Sequence, residues 1–256
     1  MNERAHTTLP EARERLASLP GILFDLDGVL TPTAEVHMLA WSRLFTPFLE
    51  SRGVAPYTDS DYFASIDGKP RYDGVRSLLA SRGITLPDGE ATDAPGDDTV
   101  AALGNRKNAV FNQVVDDEGV TPYPGSLEFL AAVIAAGHQV AVVTSSRNGR
   151  KVLEGAGLAQ YFTVVVDGEL AAERGLAGKP APATYEYGAE LLSLTAAQCV
   201  VVEDAHSGAQ AGRAGAFGLV LGVNRGVGAQ VLLDAGADVV VDDLHDFLPL
   251  TPEDHV

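Results

Sequence analysis

Short apolar runs with little polar interruption recur along the chain: GILF (21–24), HQVAVVT (138–144), YFTVVV (161–166), CVVV (199–202), FGLVLGV (217–223) and ADVVV (237–241). They are rich in β-branched residues and do not alternate with polar ones, which is how strands covered on both faces read. Between them the spacing turns helical, over Gly125 to Ala136, Asn148 to Ala156, Pro182 to Leu194 and Ser207 to Ala214. Strand, helix and strand repeated in this way predict a parallel sheet with right-handed crossovers, a doubly wound α/β layer fold.

Residues 35–117 break that rhythm. They hold no comparable strand but three amphipathic helical patterns, Val36 to Ser51, Arg71 to Ser81 and Thr99 to Asp116, the last two separated by the turn-rich acidic loop PDGEATDAPGDD (87–98). The expected organisation is a helical lead-in over 1–20 that frays, an α/β core over 21–34 and 118–256, and an all-helical domain over 35–117 inserted after the first strand.

Composition narrows the partners. With 256 residues, 46% of them hydrophobic, the chain can bury one good core and a smaller satellite. Thirty-five acidic against 18 basic residues argue against nucleic acid or an anionic membrane, and an anionic ligand would need the few cations gathered around it. One cysteine, Cys199, excludes an internal disulfide and most zinc clusters; with apolar neighbours it reads as an inert buried thiol in a reducing cytoplasm. The first 20 residues carry charges of both signs and no apolar signal segment, and no apolar stretch reaches the ~18 residues of a membrane span. A small-molecule partner and a monomer are expected.

Polar residues gather where the strands end. Asp25 and Asp27 follow GILF, Thr144, Ser145 and Ser146 follow VAVV, and Glu203 and Asp204 follow CVVV. Ligands of open parallel sheets bind outside the carboxyl ends of the strands. Four carboxylates converging there would repel one another unless a cation is present or one stays protonated, and oxygen donors without histidine or thiolate favour Mg²⁺. Helix N-caps are the plainer reading of any one of these aspartates. Thr144, Ser145 and Ser146, with Arg147 and Asn148, offer an anion site at a helix start, or simply a cap. Lys179, ahead of Pro180, either points into the same pocket or is solvated.

In this order and context, DLDGVLTPT, TSS, GKP and VVEDAHSG resemble the four motifs of the haloacid dehalogenase-like phosphohydrolase superfamily, over residues ~20 to 245. The resemblance implies that Asp25 is the nucleophile that forms an aspartyl-phosphate and that Asp27 is the general acid and base. It implies Mg²⁺ held by Asp25, the backbone carbonyl of Asp27 and Asp204, with Glu203 nearby, and phosphoryl oxygens held by Thr144 and Lys179.

A helical insertion after the first motif is the cap of the subgroup that contains β-phosphoglucomutases and small sugar-phosphate phosphatases. TPTAEVHMLAW resembles the mutase form, in which Thr33 and His37 couple cap closure to the acid/base residue. IDGKPRYDGVRSLL (66–79) resembles the mutase's specificity loop, with Gly68 and Lys69 at the substrate and Arg71 on a distal phosphate; NRKNAVF supplies Lys107 to the sugar. Ser145, Ser146, Arg147 and Asn148 match the core's substrate segment. Taken singly, Arg71 could be a surface helix residue, Lys107 a solvated one and His37 a half-exposed one. Ala183 stands where many relatives have an aspartate, and Thr144 where they have serine. The implied activity interconverts β-glucose 1-phosphate and glucose 6-phosphate through the 1,6-bisphosphate. The alternatives are a phosphatase of sugar or polyol phosphates, or a non-catalytic sugar-phosphate sensor.

Overall fold

Every apolar run becomes a strand where its β-branched residues can be covered from both sides. The computed structural model describes residues 7–250. In chain order its first part holds α1 (Leu9–Ala17), β1 (Gly21–Phe24), α2 (Thr33–Ser51) and α3 (Asp59–Asp61), a single turn that widens into a π turn over Tyr62–Ile66. Then come α4 (Arg71–Ser81), α5 (Val100–Glu118), α6 (Pro124–Ala135), β2 (Gln139–Val143), α7 (Gly149–Gly155) and β3 (Val164–Val166). The last part holds α8 (Gly168–Glu173), α9 (Ala183–Leu191), β4 (Cys199–Glu203), α10 (His206–Ala214), β5 (Leu219–Val223), α11 (Ala229–Ala235) and β6 (Val239–Val241).

The six strands form one parallel sheet in the order β3-β2-β1-β4-β5-β6. Alternate residues of each strand feed opposite faces. Ile22, Phe24, Val142 and Val202 meet α1, α6 and α7 on one face, while Leu23, Val143 and Val201 meet α9 and α10 on the other. Phe24 lies level with Val142 and Val202, so the residues that follow it leave the sheet at the same edge as those that follow Val143 and Glu203. The chain reverses at the exit of β1: Gly28 takes φ +85°, its N–H donates to Thr31 O at 2.7 Å, and Asp27 bridges to Thr31. These bonds hold the Asp25–Asp27 turn rigid at the sheet's edge.

The helices from α2 to α5 close around an apolar cluster of their own, with Trp41, Leu44, Phe45, Ile66, Leu78 and Leu103 at its centre. Trp41 and Phe45 stack at 5.5 Å. The acidic loop between α4 and α5 is tied down rather than free: Arg76 pairs with Asp88, Arg52 with Asp98, and Thr99 donates to Asp93 at 2.6 Å.

Two expectations are corrected. The lead-in does not fray over its described part, because α1 is capped by a Thr8 and Glu11 box and buries Ala12 and Leu16 completely. Arg13 also donates to the carbonyls of Asp246, Phe247 and Leu248. The third strand starts at Val164, not Tyr161, since Ala159–Tyr161 coil into a 3-10 turn that delivers Phe162 edge-on to Phe24. No helix among the described residues is long and apolar enough to cross a membrane.

Candidate active site

A pocket opens between the carboxyl edge of the sheet and the α2 to α5 insertion, lined from the core by Asp25, Asp27, Thr144, Ser145, Ser146, Arg147 and Asp204. The insertion supplies His37, Trp41, Tyr62, Asp67, Gly68, Lys69, Arg71 and Lys107. Its volume is about 60 Å³, room for about two waters. A groove of about 300 Å³ adjoins it past Arg71 and Arg147, along the start of α4 and α8.

Lys179 anchors the core side. Its ammonium, 1% exposed, lies 2.5 Å from Asp25 Oδ1 and 2.6 Å from Glu203 Oε1, donates to Val143 O and sits 4.7 Å from the Tyr185 ring centre. Burial alone would lower its pKa, but the two carboxylates outweigh that and raise it. Burial pushes the Asp25 carboxyl well above the usual range, partly opposed by Lys179. Glu203 is tied up at both oxygens, with Tyr185 donating to Oε1 and the Ala205 N–H to Oε2.

Asp27 turns away from that group. Its Oδ1 accepts from Thr33 at 2.5 Å and faces His37 Nε2 at 3.4 Å, and its Oδ2 accepts from Thr144 at 3.2 Å. Burial would raise its pKa, yet His37, Thr33 and Lys107 together hold it at about 2. His37 stacks on Phe111 at 4.2 Å and meets Lys107 Nζ through Nδ1. Lys107 is buried, its ammonium 4.7 Å from the Phe111 ring centre and 5.2 Å from that of Trp41. Burial, with Arg71 nearby, pushes it well below an ordinary lysine, and burial likewise lowers His37. The Thr33 hydroxyl adds to the hold that His37 has on ionised Asp27.

Arg71 and Arg147 face the pocket and form no salt bridge among the described residues, although the Glu169 charge is near enough to favour the Arg71 guanidinium. Arg71 donates to Asn108 Oδ1 at 2.7 Å, and the same oxygen accepts from Asn148 Nδ2 across the gap between insertion and core, also at 2.7 Å. Arg147 lies 5.5 Å from the Tyr72 ring centre. Two unpaired guanidiniums make this a pole for an anion, apart from the Asp25 pole.

Several sequence expectations shift. Thr33, Lys179, Glu203 and Asn148 stand behind the pocket wall rather than in it. The Lys69 ammonium turns back to Ser65 O and the Ser77 hydroxyl, so this residue brings its backbone and stem, not its charge. The Ser145 hydroxyl is given to Gly68 O, and the Ser146 hydroxyl accepts from the Asn148 N–H. Asp67 was overlooked. Burial, then the Glu203 charge, raises its pKa to about 7, and it bonds Tyr62. Its signal was there, an acid directly before the glycine of the IDGKPR turn.

The donor set fits a hard divalent cation. Asp25, Glu203 and Asp204 each present an oxygen within 4.8 Å of the others, all buried. Glu203 is already satisfied, but the Asp204 carboxylate accepts no hydrogen bond and forms no salt bridge among the described residues, with Lys179 offsetting its charge only from a distance. Burial and the surrounding acids raise its pKa well above normal. A Cβ on Gly28 would lie 1.9 Å from Asp204 Oδ2, so glycine keeps this space open. An unpartnered buried carboxylate in an oxygen-only cluster is what Mg²⁺ would relieve.

Comparisons with known proteins give the chain's family and fold. Residues 19–215 match the model of the haloacid dehalogenase-like hydrolases. A β-phosphoglucomutase of Mycobacterium bovis is 46% identical over 93% of this chain and 97% of its own. Hexitol phosphatase A of Escherichia coli is 31% identical over 76% of this chain and 78% of its own. The crystal structure of a β-phosphoglucomutase from Clostridium difficile superimposes with a TM-score of 0.72 at 22% identity, covering 89% of this chain and 92% of that one.

Proposed function

This chain belongs to the haloacid dehalogenase-like hydrolase family, and from that premise we propose that it is a β-phosphoglucomutase, converting β-glucose 1-phosphate and glucose 6-phosphate into one another. The observation that carries the reading is the pairing of two poles. One is Asp25 and Thr144, backed from behind the wall by Lys179 and suited to a phosphoryl group in transfer; the other is Arg71 with Arg147, suited to a phosphate that is held but does not react. A sugar bisphosphate needs both at once.

In this reading Asp25 attacks phosphorus, the bond from phosphorus to the sugar oxygen breaks, and an acyl phosphate remains on Asp25. Lys179 occupies Oδ1 of Asp25, which leaves Oδ2 uncommitted among the described residues for the attack. Asp25, Asp204 and the backbone carbonyl of Asp27 are the groups that would hold Mg²⁺, and when bound the ion neutralises charge on the transferring phosphoryl group. Glu203 keeps Lys179 in place.

Asp27, held at about 2, rests as a base. It accepts the proton of the sugar hydroxyl that takes the phosphoryl group from Asp25, and is protonated by that step. It then returns the proton to the leaving oxygen when the bisphosphate reacts in its other orientation. His37 and Thr33 orient Asp27, and Lys107 reaches it through His37. The insertion keeps water from the acyl phosphate.

The phosphatase reading is favoured by the relative named for hexitol phosphates. One assay separates the two: β-glucose 1-phosphate with Mg²⁺ and a trace of the 1,6-bisphosphate. Glucose 6-phosphate without matching free phosphate is expected; stoichiometric phosphate release would assign a hydrolase.

A further inference from the structure

The insertion's loop Asp67 to Pro70 touches the core at three points, and each lies beside a residue of the acidic edge. Ser207 Oγ donates to Asp67 O at 2.9 Å, and Ser145 Oγ donates to Gly68 O at 2.8 Å. Pro70 packs on Gly178, where a Cβ would come within 2.4 Å of its ring. In sequence Ser145 follows Thr144, Gly178 precedes Lys179, and Ser207 stands three residues after Asp204. Gly68 has φ +68°, and a Cβ there would lie 2.2 Å from Ser207 Oγ and 3.0 Å from Ala205 Cβ. The loop therefore approaches as closely as glycine permits.

The pocket beneath this loop, about 60 Å³, is far below the 300 Å³ or more of ordinary small-molecule sites. For a hexose to sit beneath the loop, over Asp25, the insertion has to lift. We propose that Ser207, with Ser145, is a positioning residue that latches the lowered insertion onto the core. Ser207 sits in the first turn of α10, and its hydroxyl serves the insertion's carbonyl rather than its own helix. Once the loop lifts, both hydroxyls and both carbonyls face water, so the two bonds favour the closed arrangement over the open one without holding either part folded. The latch also registers Thr144, Lys179 and Asp204 against the loop that leads into Arg71. The two anion poles are thereby set at one distance whenever the insertion closes.

A net hydrogen bond of this kind corresponds to roughly a 3- to 10-fold change in an equilibrium. Ser207→Ala in the full chain is therefore expected to speed amide hydrogen exchange over residues 65–70 by about that factor, and Ser145→Ala/Ser207→Ala by about the product of two such factors. This readout needs no substrate, so it tests the latch apart from the mutase reading. With β-glucose 1-phosphate and Mg²⁺, the same variants should release more free phosphate per glucose 6-phosphate formed, because a loosened insertion admits water to phospho-Asp25. Unchanged exchange over 65–70 overturns the latch. So does faster exchange spread over the whole chain with a matching fall in melting temperature, which would mark Ser207 as a fold residue only.

Discussion

Replacing Lys179 with methionine keeps the unbranched stem, one atom shorter, and removes its charge from a place that is 1% exposed. Two carboxylates then lose their common partner, Asp25 at 2.5 Å and Glu203 at 2.6 Å, with Glu203 fully buried. Breaking a buried pair in this way costs about 3–5 kcal/mol, because the charge left behind is uncompensated. For a chain of this size that is a fall of about 6–20 °C in melting temperature. The deficit depends on pH with a definite sign. Burial already raises the folded-state pKa of Asp25, and without Lys179 to oppose it this carboxyl protonates in the folded variant as pH falls. The variant's deficit shrinks below about pH 5 and widens as pH rises through the folded value. Thermal unfolding of both proteins at pH 5 and pH 8, in chelator, measures it. A deficit under about 1 kcal/mol, or one equal at both pH values, would refute the argument that Lys179 neutralises the acidic edge.

Other consequences are as specific. Thr33→Val removes a charge-assisted bond of about 1.5–3 kcal/mol from Asp27, which lifts its pKa from about 2 by roughly 1–2 units. The acidic limb of kcat/KM moves to higher pH accordingly, and Thr33→Ser restores it. Because Asp25 and Asp204 are raised above their ordinary range, Mg²⁺ competes with protons for them. The rise in melting temperature on adding Mg²⁺ should be large at pH 8, shrink toward pH 5, and correspond to about 2.7 kcal/mol at 100 times Kd. Equal shifts at both pH values would contradict the assignment. Arg71→Ala should slow sugar-phosphate conversion by at least ~10-fold, the value of one charged hydrogen bond. Hydrolysis of p-nitrophenyl phosphate, which has no second phosphate, should fall much less.

The sheet was legible in the sequence because its strands are covered on both faces and so read as unbroken β-branched runs; β1 fills GILF from end to end. The elements that went unread are those whose signal is not periodic. The short helices α8 (GELAAE) and α11 (AQVLLDA) are set by neighbours and caps, as where Asp167 accepts from the N–H groups of Glu169 and Leu170. The acidic edge was legible for another reason: helix capping explains one strand-end aspartate but not carboxylates at two neighbouring strand ends together, and the order of motifs repeats a known family. What the sequence could not show is orientation. Lys69, on the loop, and Arg71, at the start of α4, are two residues apart, yet the Lys69 ammonium turns inward to Ser65 and Ser77 while the Arg71 side chain faces the pocket. Ser207 looked like a helix residue until its hydroxyl met a carbonyl from a segment 140 residues away.

The central claim is that Asp25 takes a phosphoryl group and gives it to a sugar rather than to water. Rapid quenching after mixing the Mg²⁺-loaded enzyme with β-glucose 1,6-bisphosphate radiolabelled in both phosphates, followed by a chase of unlabelled β-glucose 1-phosphate, follows that group directly. Label should appear on the peptide that carries Asp25, be absent in Asp25→Asn, and pass during the chase to the sugar bisphosphate. Label that instead leaves as free phosphate, or that never reaches Asp25, would contradict the account.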